Sequence, residues 1–117
     1  AIHVFNQGKL ARDFTYIDDI IQGINLVLKN SENTEDRFNI YNIGRGEKVK
    51  LTEFIENLEM ILNKKAIKEY KPMQKGDVFE TFADISKLKT LFGYEPKTSV
   101  SEGLKSFCDW YLNYYKV

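Results

Sequence analysis

Three short stretches of this sequence carry residue types that can do chemistry. In Gly8-Lys9-Leu10-Ala11-Arg12-Asp13-Phe14-Thr15-Tyr16-Ile17-Asp18-Asp19, a turn and two basic residues lead through aromatic residues to a helix start. An arginine at position 12 can hold a phosphate, because its planar fork matches two oxygens at once. It can equally be a surface arginine paired with Asp13 or with a carboxylate at the helix end. Gly44-Arg45-Gly46 follows a strand-like run. Glycine there lets backbone approach a phosphate, yet Gly-x-Gly lacks the third glycine of a dinucleotide fingerprint and also suits a plain turn. Pro72-Met73-Gln74-Lys75-Gly76-Asp77-Val78 offers an acceptor and an amide that can hold sugar hydroxyls, or else simply connects two elements.

Other chemistries find less support. His3 is the only histidine, which excludes a His-rich metal site, and no Cys-x-x-Cys, Gly-x-Ser-x-Gly or His-Glu-x-x-His pattern occurs. Cys108 lies on an apolar helical stripe, as a buried structural thiol would. Trp110, Tyr111, Tyr114 and Tyr115 can stack on bases or sugars, but helical spacing in a terminal helix more often means core and surface packing.

The elements that must position these residues follow from periodicity. Residues 2–5 read as a short strand entering a turn at Asn6-Gln7-Gly8-Lys9. Ile20, Ile21, Ile24, Val27 and Leu28 recur at helical spacing between Asp18 and Asn30, with Asp18 or Asp19 as N-cap. Phe38 to Ile43 reads as a strand. A second helix, capped near Thr52, carries Leu51, Phe54, Ile55, Leu58, Ile61 and Leu62 on one face, and Ala66 to Tyr70 reads as a strand. Ser86 to Phe92 reads as a short helix closed by Gly93. Ser99-Val100-Ser101-Glu102 is a capping-box pattern opening the last helix, whose buried stripe is Val100, Leu104, Phe107, Cys108, Tyr111 and Tyr115. Alternating helices and short strands give an α/β or α+β class.

A length of 117 residues allows one domain, and 43% hydrophobic with 14% aromatic residues is the composition of a packed globular one. Seventeen basic and 17 acidic residues balance, which argues against a general nucleic-acid or anionic-membrane surface. One cysteine permits no internal disulfide, and a reducing compartment is the default. No apolar run approaches the ~20 residues of a membrane helix, and the opening residues lack a signal-peptide pattern. A start at Ala1 that runs at once into a strand suggests a piece of a longer protein.

The order of these segments resembles the C-terminal portion of extended short-chain dehydrogenase/reductases, the nucleotide-sugar epimerases and dehydratases. The matching stretches are Val4-Phe5, Arg12 to Asp19, Tyr41-Asn42-Ile43-Gly44, Gly76-Asp77, Ala83 to Lys87, Gly93-Tyr94-Glu95-Pro96 and the helix from Gly103 to Tyr115. Pro72 to Asp77 is most similar to UDP-glucuronate 4-epimerases. The resemblance implies the substrate-binding portion of a Rossmann-type fold, occupying residues 1–117, with the NAD-binding domain elsewhere. It implies that Arg12 binds the UDP diphosphate, that backbone around His3 and Phe5 meets the uracil edge, that Val49 packs on the uridine, and that Asp77 accepts from ribose hydroxyls. Gln74 and Thr81 stand where galactose-type relatives carry an arginine and a tyrosine, and both departures fit a glucuronate or galacturonate substrate.

The chemistry so implied oxidises the sugar C4 hydroxyl with bound NAD, turns the keto sugar over and returns the hydride to its other face. That requires an anchor which grips the nucleotide and leaves the sugar free to rotate. The family's Gly-rich turn and Tyr-x-x-x-Lys pair are missing, and none of the seven tyrosines is followed by lysine four positions on. No catalytic residue is therefore expected in this chain, and alone it should be inactive. The implied parent is a cytoplasmic, homodimeric isomerase of nucleotide-sugar metabolism and polysaccharide biosynthesis. Alternatives are the equivalent part of a nucleotide-sugar 4,6-dehydratase and a non-catalytic nucleotide-sugar-binding protein. In either enzyme the helix from Asp18 to Asn30 and the strand from Phe38 to Ile43 would pack against the Rossmann sheet.

Overall fold

A computed structural model of the chain describes residues 1–33 and 38–117. Among them the order is β1 (Ile2–Val4), β2 (Ala11–Arg12), α1 (Ile17–Asn30), β3 (Val49–Lys50), α2 (Leu51–Leu62), β4 (Lys68–Tyr70), α3 (Ser86–Phe92) and α4 (Val100–Tyr115). The mixed class is as expected.

β1 and β4 pair in parallel, with Ile2 opposite Lys68 and Val4 opposite Tyr70. β2 and β3 pair antiparallel, with Ala11 opposite Lys50 and Arg12 opposite Val49. Residues 79–81 run along the other edge of β2. The Ala11 N–H donates to the Phe79 carbonyl at 3.0 Å, and the Thr81 N–H to the Ala11 carbonyl at 3.2 Å. β2 is thus the middle of a small mixed sheet.

Two helix starts differ from expectation. α1 begins at Ile17 after Tyr16, and neither Asp18 nor Asp19 caps it. Asp19 is buried and accepts from the N–H groups of Lys97 and Thr98, each at 3.0 Å, so its carboxylate ties α1 to the connection before α4. α2 begins at Leu51 after Lys50, not near Thr52, because the Leu51 N–H donates to the Leu10 carbonyl and β3 hands over directly to the helix. The two other helix-end signals hold. Gly93 closes α3 at φ 69°, and Ser99 and Glu102 form a reciprocal capping box on α4.

Phe38 to Ile43 does not form a strand. A strand needs a neighbouring backbone, and no ladder partner for this segment exists among the described residues. Phe38 and Ile40 are exposed, while Ile43 tucks against Gly23 of α1. The Ala66–Tyr70 strand shortens to β4, although the Ile67 carbonyl still accepts from the Ile2 N–H.

The core is small: Val4, Leu10, Ile55, Leu88, Tyr94, Leu104 and Cys108. α2 packs on α4 across Leu104 and Cys108, but Phe107, Tyr111 and Tyr115 of the expected buried stripe are exposed. The face foreseen on α1 also divides. Ile20 and Val27 are half-buried beside Gly23, whereas Ile21, Ile24 and Leu28 join Ile17 in an exposed stripe. The shape agrees, a slab of 53 × 36 × 19 Å with a radius of gyration of 17.2 Å. A compact domain of this length would have roughly 13 Å. The composition of a packed globule is therefore not matched by a packed globule: many large apolar side chains, from Ile17 to Tyr115, are exposed. No helix of the described residues is long and apolar enough to cross a membrane.

Candidate functional site

Arg12 and Val49 are directly paired across β2 and β3, so their side chains share one face of the small sheet. The bridge of Ala11 to Glu80 puts Thr81 beside Arg12 on that same face. The opposite face carries Lys48 and Glu80, joined by a 2.8 Å ion pair.

The Arg12 guanidinium is held from both ends. One nitrogen donates to the Ala11 carbonyl at 2.8 Å and to the Phe79 carbonyl at 3.3 Å. The other donates to Asp77 Oδ1 at 2.5 Å. Both side chains keep about a quarter of their surface open to solvent. The partner of Arg12 is thus neither Asp13 nor a helix-end carboxylate. Asp77 is itself presented by a tight turn, in which its N–H donates to the Gln74 carbonyl at 3.3 Å and Gly76 takes φ 84°. Its Oδ1 also receives the Val78 N–H at 2.9 Å. Gln74 is exposed at the rim of that turn.

His3 belongs to β1 of the other sheet, and Phe5 opens the turn that follows it. Their rings meet edge-on at 6.2 Å, and the exposed His3 Nε2 lies 3.2 Å from Glu69. The Ile2 N–H and the Val4 carbonyl bond toward the β4 side, so the backbone groups of His3 point the other way. The connection to β2 runs through Asn6, Gln7 and Gly8, all with left-handed φ (48°, 53° and 76°). Two consecutive non-glycine residues there cost backbone energy, on the order of 1–3 kcal/mol each. The turn is held by Lys9 N–H to Asn6 carbonyl and Gln7 N–H to Lys71 carbonyl bonds.

Asp13, unremarked as a site organiser in the sequence, directly follows Arg12 and ties the 44–46 turn and residue 83 to the end of β2. Its Oδ1 accepts from the Arg45 N–H and the Thr15 hydroxyl, and its Oδ2 from the Gly46 and Ala83 N–H groups, all at 2.9–3.0 Å. Burial alone would raise its pKa, but these bonds outweigh it and hold the carboxyl below its ordinary value. Gly44 is required beside it, since a Cβ would lie 2.6 Å from that of Ala83. Tyr94, fully buried, donates to the Gly44 carbonyl at 2.9 Å, and burial, with Asp19 and Asp13 nearby, pushes its hydroxyl up to about 12. The signal for this cluster is absent from local spacing, because the partners of Asp13 include residues 32, 33 and 70 positions away.

That arrangement also decides what Gly44-Arg45-Gly46 can hold. Two of its N–H groups already bond the Asp13 carboxylate, and the Arg45 side chain is spent on Glu47 and the Thr98 carbonyl. The turn does not fit a cofactor diphosphate. Trp110, Tyr111, Tyr114 and Tyr115 contact one another along the exposed end of α4.

Comparison with known proteins supplies the relationship. The family described as GDP-mannose 4,6 dehydratase matches residues 2–107. An uncharacterized protein of Methanocaldococcus jannaschii is 50% identical over 111 residues, covering 95% of this chain and 33% of that protein. The UDP-glucuronate 4-epimerase of Thermodesulfobacterium geofontis is 44% identical over 110 residues, 93% of this chain and 32% of that enzyme. Among solved structures, UDP-glucuronic acid 4-epimerase from Bacillus cereus, in complex with UDP-glucuronic acid and NAD, superposes with a TM-score of 0.80 at 38% identity. The match covers 97% of this chain and 35% of that one. The chain spans about a third of the length of the relatives it matches.

Proposed function

This chain belongs to the GDP-mannose 4,6-dehydratase family, and from that membership we propose that it is the nucleotide-anchoring C-terminal part of an NAD-dependent UDP-sugar 4-epimerase acting on a uronic acid. The observation that carries the reading is the convergence of Arg12, Val49, Thr81 and Asp77 around one face of the β2 sheet. The likeness to UDP-glucuronate 4-epimerases supports the choice of substrate.

In this reading Arg12 binds the diphosphate, Asp77 accepts from the ribose hydroxyls and Val49 packs on the uridine. The outward backbone of β1 at His3, with Phe5 beyond it, meets the uracil edge. Gln74 and Thr81 leave room and polarity for a uronic acid. The anchor grips the nucleotide strongly through charge and leaves the sugar ring free to turn. In this reading NAD and the groups that move protons and hydride belong to residues outside this chain, which has neither the family's Gly-rich turn nor its Tyr-x-x-x-Lys pair. A cytoplasmic homodimer serving polysaccharide synthesis completes the proposal.

Titration calorimetry of the intact protein tests the anchor. Arg12→Ala should weaken both UDP and UDP-sugar by about 1.5–3 kcal/mol, the worth of a hydrogen bond to a charged group, and unchanged UDP affinity would remove Arg12 from the site. UDP-glucuronate or UDP-galacturonate should turn over well ahead of UDP-glucose. The family's description favours one second reading, a 4,6-dehydratase. A 4-keto-6-deoxy product in place of the C4 epimer would select it.

A further inference from the structure

The face of the β2 sheet turned away from Arg12 bears an open cavity of about 560 Å³, within the roughly 300–1,000 Å³ typical of small-molecule sites. We infer that it is a second binding site, which takes a small anionic sugar: a carboxylate or phosphate held between Lys9 and Lys50, with the sugar ring beside Phe79. The nucleotide anchor proposed above lies on the other face and uses none of these side chains.

Three distant parts of the chain form the walls: the turn at Gln7–Lys9, the junction of β3 and α2 at Lys50 and Thr52, and residues 79–80. Ala11 stands opposite Lys50, one position along from the Arg12–Val49 pair, so strand alternation turns both to the far side. The turn is pressed into place. Gly8 is buried, with the position of a Cβ only 2.8 Å from Thr52 Cγ2, and the Gln7 N–H is bonded to the Lys71 carbonyl. The cavity is therefore preformed. Its charge is unbalanced. Glu80 is the one carboxylate lining it and is bonded to Lys48 at 2.8 Å, while Lys9 and Lys50 have no ion pair among the described residues. Three ammonium groups thus stand around one carboxylate, and an anion between Lys9 and Lys50 offsets the excess. Lysine, a point charge on a flexible stem, takes a carboxylate or a phosphate without the planar match that arginine demands. The Gln7 amide and the Thr52 hydroxyl, with no hydrogen bond among the described residues, can meet sugar hydroxyls. Phe79 is 65% exposed, and its ring suits the apolar C–H side of a pyranose. A bare inorganic anion would leave the amide, the hydroxyl and the ring unused.

Titrations of the intact protein with glucuronate, glucose 6-phosphate, glucose and inorganic phosphate, followed by ligand-detected NMR, test the site. Both anionic sugars should bind at least tenfold more tightly than glucose or inorganic phosphate, and the tighter of the two identifies the preferred anion. Lys9→Gln with Lys50→Gln should weaken both at least tenfold. Lys89→Gln with Lys97→Gln removes the same charge from α3 and from the connection before α4, outside the cavity, and should change them less than twofold. Saturating UDP should also leave them within twofold, because it occupies the opposite face. No binding of either anionic sugar, glucose binding as tightly as glucuronate, or inorganic phosphate as tightly as glucose 6-phosphate would overturn the inference. So would equal losses in the two lysine pairs, or displacement by UDP, which would put the ligand on the Arg12 face. Failure of UDP to bind at all would instead remove the anchoring role and leave this site standing.

Discussion

Asp13→Asn is the substitution by which the site's scaffold can be judged. It changes one oxygen to an NH2 group at nearly constant volume, and either orientation has a cost that can be worked out. With the nitrogen at Oδ2, it would face the N–H groups of Gly46 and Ala83, and two partly buried backbone donors would lose their acceptor. With the nitrogen at Oδ1, the Thr15 hydroxyl can turn to accept, and the Arg45 N–H keeps a 3.0 Å bond to Thr15 Oγ1. The second orientation is cheaper and should be adopted. Even so, the Arg45–Asp13 bond is lost, and the two bonds at the other oxygen fall from charge-assisted to neutral strength. A hydrogen bond to a charged group is worth about 1.5–3 kcal/mol and a neutral one about half. Because the Arg45 N–H keeps Thr15 as an acceptor, its own loss is well under a full bond, and the net loss should be about 2–4 kcal/mol at neutral pH, read by urea unfolding of the intact protein. Because the Asp13 pKa lies below its ordinary value in the folded chain, this stabilisation is complete above the ordinary carboxylate range and fades as pH falls through the folded value. The gap between Asp13→Asn and the unsubstituted protein should therefore close in acid. A variant within 0.5 kcal/mol of the parent at pH 7 would refute the view that Asp13 holds the 44–46 turn and residue 83 to the end of β2.

Tyr94→Phe leaves the buried Gly44 carbonyl without its 2.9 Å donor and should cost about 1–3 kcal/mol in the same assay; no change would mean that the carbonyl finds another donor. Gly23→Ala would set a Cβ 2.8 Å from Ile43 Cγ2 and 3.1 Å from the Tyr94 ring, so a loss of about 1–3 kcal/mol is expected from overpacking, and a neutral result would show that α1 can shift. Glu59, with Lys68, the Ala66 N–H and Lys65 against its carboxylate, is held down at about 2. Its contribution is complete above its ordinary 4.5 and is lost as pH falls toward 2, so Glu59→Gln should flatten acid unfolding across that window. Expressed as these 117 residues alone, the chain should associate through the exposed Ile17, Ile21, Ile24 and Leu28 stripe. Sedimentation velocity should show mass rising with concentration, and Ile21→Lys with Leu28→Lys should suppress it.

What was legible in the sequence had its causes nearby. The Ser99–Glu102 box and the Gly93 closure are complete within a few residues, so the local pattern carries all the information. Helical spacing correctly grouped Phe107, Tyr111 and Tyr115 with Leu104 and Cys108, but spacing states which side chains share a face, not what covers it. That is why the outer half of the stripe is exposed. The apolar run from Phe38 to Ile43 has strand composition and no strand, since a ladder depends on a second backbone. For the candidate site, the resemblance supplied Arg12, Val49, Asp77 and Thr81 as names. Their shared face is a matter of register between β2 and its neighbours. The Arg12–Asp77 bond and the role of Asp13 had no sequence signal at all.

The bonds that build this region join distant parts of the chain: 65 residues for Arg12 to Asp77, 70 for Ala83 to Asp13, and 78 and 79 for the two bonds to Asp19. During synthesis at about 5–20 residues per second, Arg12, Asp13 and Asp19 would emerge about 3–16 s before the groups that satisfy them. Loop closure over such distances precedes any reward from the contacts, so this corner of the fold should form late and slowly. Those charged groups thus stay bare while the next 65 to 79 residues are made. A pause between residues 20 and 77 would leave a ribosome-bound species with its future binding face unformed, open to chaperones and proteases alike.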